Sequence, residues 1–177
     1  MTSQEWWLSV KDNPEKLIDW LKKQYHGEAI AATRMRGFLD NFGKEAKDPN
    51  FIKVVEAIAV QEEDHARWVG ELLEARGFKP EVIENKHERY WEETLAGIDS
   101  WETGCAVAAH AEKMRLDRIS VIAADETAPE DIRKVFSKIL PDEMWHEESF
   151  RVFSTPEAME KTFANHKAGA AALGLVS

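Results

Sequence analysis

Glu28, Glu62, His65, Glu112, Glu143 and His146 are the residues of this 177-residue chain whose types and spacing suit chemistry. Two lone glutamates alternate with two Glu-x-x-His pairs, Glu62-Glu63-Asp64-His65 and Glu143-Met144-Trp145-His146. Residues three apart on a helix share a face, so the Glu and His of each pair can reach one ion. Mixed carboxylate and imidazole donors suit iron or manganese, with zinc as a substitute. Bridging carboxylates would hold two such ions close together, with positions left open for O2 or peroxide. The expected metal ligands are therefore these six residues, and the expected cofactor is two metal ions, iron foremost.

The elements that must position them read as helices, and nothing alternates with period two. Asn13-Pro14 opens a helix to about Asn41, with asparagine as cap and proline in the first turn. Asp48-Pro49 repeats that signature, and Gly77 closes the second helix. A third long helix runs from about Trp101 to Ala124, and a fourth from Pro129 to near Phe153. Thr155-Pro156 caps a shorter fifth, and the small, apolar tail from Ala168 to Ser177 either packs on the rest or frays. Between residues 77 and 100, Pro80 is expected to start a short helix that Gly97 and Asp99-Ser100 interrupt.

Each ligand candidate is the charged member of an apolar seam. The second helix reads Phe51, Val55, Ile58, Glu62, His65, Val69, Leu72, and the fourth reads Ile132, Phe136, Ile139, Glu143, His146, Phe150, Phe153. Glu28 interrupts Leu17, Leu21, Ala31, Met35, Phe38, Phe42, and Glu112 interrupts Ile98, Trp101, Cys105, Ala108, Leu116, Ile119. A solvated charge would lie opposite the apolar stripe. Charged groups are almost never buried unless paired or metal-bound. The 34 residues from Glu28 to Glu62 and the 31 from Glu112 to Glu143 suit two antiparallel hairpins with the site at mid-height. The long 77–100 segment suits a crossover of about 30 Å between parallel second and third helices. The expected architecture is one all-α domain over 1–177. Its four-helix core covers about 14–153, and a C-terminal helix and tail cover 156–177. The echo His26-Gly27-Glu28 and His110-Ala111-Glu112 agrees with two similar halves.

A single Glu-x-x-His is a weak signal, and Glu84-Asn85-Lys86-His87 in the polar crossover reads as a chance copy. Two copies on buried seams, each with a lone glutamate on its hairpin partner, are a stronger pattern; the competing reading is buried salt bridges without metal. The pattern resembles the ferritin-like di-iron carboxylate superfamily, with its rubrerythrin and bacterioferritin-like bundles, whose ligand layout is a Glu on each of two helices and Glu-x-x-His on the others. The resemblance covers about residues 14–153 and rests on the six residues named above. In relatives, an aspartate just before the second Glu-x-x-His orients a ligand histidine. Asp142 takes that place and is expected to hold His65, with Gln61 doing the same for His146. Rubrerythrin-like peroxidases carry an extra glutamate three residues after the third-helix ligand. That position is Arg115 here, and the chain shows no rubredoxin-type cysteines.

The bulk properties narrow the partners. A net charge of -10 and a pI near 5.1 argue against nucleic acid and anionic membrane surfaces. The acidity partly reflects the carboxylates of the site. Cys105 is the single cysteine, so no disulfide or cysteine-rich metal site is expected. No signal peptide or membrane-length apolar run appears, which points to the cytoplasm. Ala31, Ala32, Gly104, Cys105, Ala108 and Ala109 lie within a turn of the ligands, where small side chains serve either a substrate pocket or close helix packing. Pro141 could kink its helix and aim Glu143. Tyr25, Trp68 and Trp145 lie near ligands in sequence, but such residues more often belong to a core or interface. The resulting expectation is an oxidoreductase activating O2 or peroxide, served by an electron donor, acting on a small organic substrate or reducing oxygen to water, and a homodimer is allowed. The alternatives are an iron-oxidising, metal-handling protein and a structural bundle binding zinc.

Overall fold

The computed structural model describes residues 1–46, 48–83 and 89–175. Its helices are α1 (Ser3–Val10), α2 (Pro14–Phe42), α3 (Asn50–Glu74), α4 (Arg89–Leu95), α5 (Trp101–Ala124), α6 (Glu130–Phe153) and α7 (Pro156–Ala172), with a 3-10 turn at Gly43–Glu45 after α2. No strand occurs among the described residues. Side chains set several of the starts by satisfying N–H groups that a first helical turn leaves unpaired. Asn13 accepts from Lys16 N, Thr155 from Ala158 N, and Ser100 with Thr103 closes a reciprocal capping box. Asp48 accepts from Asn50 N at 2.8 Å and so initiates α3.

Short connections make two hairpins: α2 packs chiefly on α3, and α5 on α6. The crossover joins them into an all-α, ferritin-like four-helix bundle, and α7 lies outside it against α4 and α5. The interior divides into two apolar layers. One holds Trp7, Trp20, Leu21, Leu73, Ile122, Ile132 and Phe136; the other holds Phe51, Val55, Ile58, Cys105, Phe150 and Phe153. Each seam changes at mid-length from apolar to Glu or His, so the buried polar residues lie between those layers.

Local details refine the sequence reading, and one expectation needs correction. Pro80 does not start a helix: residues 81–83 have no regular structure, and Pro80 instead packs on Gly70 of α3. The short helix of the crossover is α4, and the Glu84–His87 motif lies outside the described residues. Pro141 does not interrupt α6, which runs through it with the proline ring exposed. The tail is helical as far as Ala172, with Gly169 and Ala170 buried. The sequence reading also passed over α1. That helix docks by Trp7 Nε1 donating to Asp125 Oδ2 at 2.8 Å, Lys11 bonding to the same oxygen, and Trp6 and Trp7 packing edge-on against Trp20.

Candidate metal centre

Glu28 from α2, Glu62 and His65 from α3, Glu112 from α5, and Glu143 and His146 from α6 meet in the middle of the bundle. All six are buried, the most exposed being Glu112 at 3%. Their donor atoms form two overlapping sets within 4.8 Å. One is Glu28, Glu62, His65 and Glu143; the other is Glu62, Glu112, Glu143 and His146. Glu62 and Glu143, the glutamates of the two Glu-x-x-His pairs, belong to both sets.

The histidines are oriented by a polar link between the hairpins. His146 Nε2 lies 3.0 Å from Gln61 Oε1, Gln61 Nε2 donates to Asp142 Oδ1 at 2.9 Å, and Asp142 Oδ2 lies 3.2 Å from His65 Nε2. An amide oxygen and a carboxylate can only accept, so both imidazoles carry their proton on Nε2. Both Nδ1 lone pairs then face the carboxylates, His65 Nδ1 at 3.3 Å from Glu143 and His146 Nδ1 at 3.5 Å from Glu62. Neither contact has hydrogen-bond geometry. His65 Nδ1, His146 Nδ1, Glu112 Oε2 and both Glu143 oxygens are buried without a hydrogen-bond partner. Native proteins rarely leave such atoms unpaired, because burying an unsatisfied polar group costs about 1–3 kcal/mol. Metal ions fit this donor set: inward-facing imidazole lone pairs and carboxylate oxygens at one level, with the imidazole protons held from behind.

Two further residues complete the cluster. Arg115 Nη1 sits among all four glutamates, at 3.3 Å from Glu28, 3.2 Å from Glu62, 3.6 Å from Glu112 and 3.5 Å from Glu143. Gln24, one turn before Glu28, donates to Glu28 Oε1 at 2.5 Å. The sequence reading treated Arg115 only as a departure from a family pattern. Its signal was available, since Arg115 follows Glu112 by three and so shares its face. Gln24 could have been found in the same way from Glu28.

Electrostatics follow from burial. Desolvation pushes Glu28 up to about 8, against the lowering pull of Arg115, and pushes Glu62 up to about 7. Burial and the charge of Glu112 raise Glu143 well above the usual carboxylate range. Burial also pushes Glu112 upward, but Arg115, the largest of the lowering influences, turns the balance and leaves Glu112 lowered. Desolvation lowers His146 to about 4, keeping its imidazole neutral and able to donate a lone pair.

The other candidates fall to either side. Trp68 lies 5.6 Å from His65, with Lys138 Nζ 3.4 Å from the centroid of its ring, and Trp145 lies 5.9 Å from His146 at the surface. Tyr25 packs on Gly70. His26 accepts from Ile83 N, and His110 stacks on His166, so neither joins the cluster. The small residues near the ligands serve packing at one position at least, since the Phe38 ring occupies the space a side chain at Gly104 would need.

Fold and site together define a ferritin-like bundle with a buried carboxylate–histidine cluster. More narrowly, the chain belongs to the rubrerythrin family, whose family model matches residues 19–154. Comparison with curated proteins and with solved structures gave no match. No helix among the described residues is long and apolar enough to cross a membrane.

Proposed function

We propose that this protein is a dinuclear-metal oxidoreductase that activates O2 or peroxide, with Glu28, Glu62, His65, Glu112, Glu143 and His146 as ligands. The observation that carries the reading is the set of buried, unpartnered nitrogen and oxygen atoms from α3, α5 and α6 facing one another at mid-bundle. When bound, the metal pair, iron foremost and manganese or zinc as substitutes, supplies the redox chemistry. The chain's own groups do the rest. Gln61 and Asp142 hold the histidine protons on Nε2. Glu28, Glu62 and Glu143 hold protons that they release as metal arrives. The apolar layers on either side keep bulk water from the cluster. Electrons come from a redox partner, and the oxygen goes either into a small organic molecule or, with protons, to water.

Metal analysis of the purified protein tests the proposal, with diffraction at the iron and manganese edges to locate the ions. Two transition-metal ions per chain are expected, and replacing His65 and His146 together with alanine removes them. Less than one ion per chain, with no stability lost in the double variant, would sink the reading. A large shell in light scattering holding many irons per chain would replace it with metal storage.

A further inference from the structure

We propose that the cleft beside the carboxylate cluster is an anion site, built by Arg118 and completed by Arg115, that takes the carboxylate head of a short apolar acid. The inference rests on the dinuclear reading above and names the class of small molecule that sits against that centre.

Arg118 is a half-buried cation without an acid. Among the described residues it has no carboxylate partner, and its Nε is buried with no hydrogen bond. Its guanidinium lies 4.8 Å from the Trp6 ring, a contact that helps position it without neutralising it. The chain has 33 acidic and 23 basic residues, so acidic partners are plentiful elsewhere. Arg118 opens into a cleft of about 50 Å³ lined by Trp20, Gln24, Met114, Ile119 and the two arginines. No acidic side chain lines it. Apart from the Gln24 amide, the wall offers two guanidiniums and apolar surface, the combination that suits a carboxylate with a short hydrocarbon tail. At roughly 10–15 Å³ per water-sized group, the space matches an acid of acetate or propionate size.

Arg115 links this cleft to the metal centre. Its Nη1 now lies among four glutamates, while its side chain also lines the cleft and is 21% exposed. Two divalent ions would cancel the charge of four carboxylates and take the oxygens that Arg115 now holds. Arg115 then turns toward the cleft, on the same face of α5 as Arg118, where an anion accepts from both guanidiniums. Metal and anion therefore favour one another, because each holds Arg115 in the position the other needs.

The test is titration of propionate into zinc-loaded and metal-free protein, following the Arg118 Nε–H and Trp20 Nε1–H resonances, with propionamide as the neutral control. Zinc-loaded protein is expected to bind one propionate per chain, at least tenfold tighter than metal-free protein and without response to propionamide. Arg118→Gln should weaken propionate at least tenfold with zinc content and helicity unchanged, and Arg118→Lys should recover part of the loss. Equal responses to propionate and propionamide, or Arg118→Gln binding propionate like the wild type, overturn the proposal. A protein that takes up no metal but still binds propionate through Arg118 keeps the anion site and refutes the dinuclear reading. One that takes up metal without an Arg118-dependent response does the reverse.

Discussion

At the scale of single residues, the centre of this bundle is a balance of buried charge. Glu28 and Glu62 are pushed up to about 8 and about 7 by burial, so their folded values lie above the unfolded value of 4.5. Such groups favour folding below the unfolded value, and that contribution disappears as pH rises through the folded one. Metal-free protein should therefore lose thermal stability between about pH 4.5 and 8, whereas metal-loaded protein should do so less; paired melting curves across that range check it, and parallel curves would count against it. Metal uptake should also release protons, measurable in weak buffer. Arg115→Gln should destabilise metal-free protein by less than the roughly 3–5 kcal/mol of breaking a buried pair, because the glutamates can protonate, and should barely affect metal-loaded protein. Asp142→Ala should lower metal affinity about 10–100-fold, read by competition with a chelator. The six clustered residues were legible because a Glu or His in the middle of an apolar seam has few other reasons to be there. Arg115 shares the face of Glu112 at i+3 but was read only as a departure from a pattern, since a long basic side chain there ordinarily reaches outward.

At the scale of elements, the cap-and-proline pairs at Asn13, Asp48 and Thr155 made three helix starts readable from local chemistry alone. α1 was passed over although Thr2 and Glu5 form a local capping box; what docks it is tertiary, since Trp7 and Lys11 find Asp125 over a hundred residues away. The position of α4 was misjudged for a similar reason, since Pro80 is fixed by Gly70 rather than by a helix of its own. α7 depends on close approach. A Cβ at Gly169 would lie 2.8 Å from Tyr90 Cδ2 and 3.0 Å from its carbonyl oxygen. Gly169→Ala should cost about 1–3 kcal/mol from overpacking, less up to about 1 kcal/mol regained in helix propensity, as a lowered denaturation midpoint shows. α7 should also respond to acid. His110 and His166 stack with ring centroids 4.8 Å apart beside Tyr90 and Phe163, and burial lowers both below 6.5. Their contribution is complete above about 6.5 and is lost as pH falls below it. Amide exchange across 156–172 should then accelerate relative to α3, and His166→Gln should blunt the change.

At the scale of the whole molecule, the bundle is two apolar layers held apart by a polar one. Ions that bind only the folded state would stabilise it by about 2.7 kcal/mol at a hundred times the dissociation constant. Adding metal should raise the melting temperature and a chelator should reverse the shift, whereas the His65→Ala, His146→Ala double variant should respond to neither. The four-helix plan was legible because the seams and the crossover length agree on one topology. The outer packing of α7 on α4 and α5 was not, since neither partner face carries a long periodic stripe.

The Gln61–Asp142 hydrogen bond joins the two hairpins, and its consequence is evolutionary. Gln61 has one acceptor and one donor end, each already committed, so its amide has a single workable orientation. A change at position 61 that reverses or removes the donor leaves Asp142 to be held by something else, and His65 with it. Sequences descended from the same ancestor should therefore change at 61 and 142 together, and the two halves of the chain cannot diverge independently.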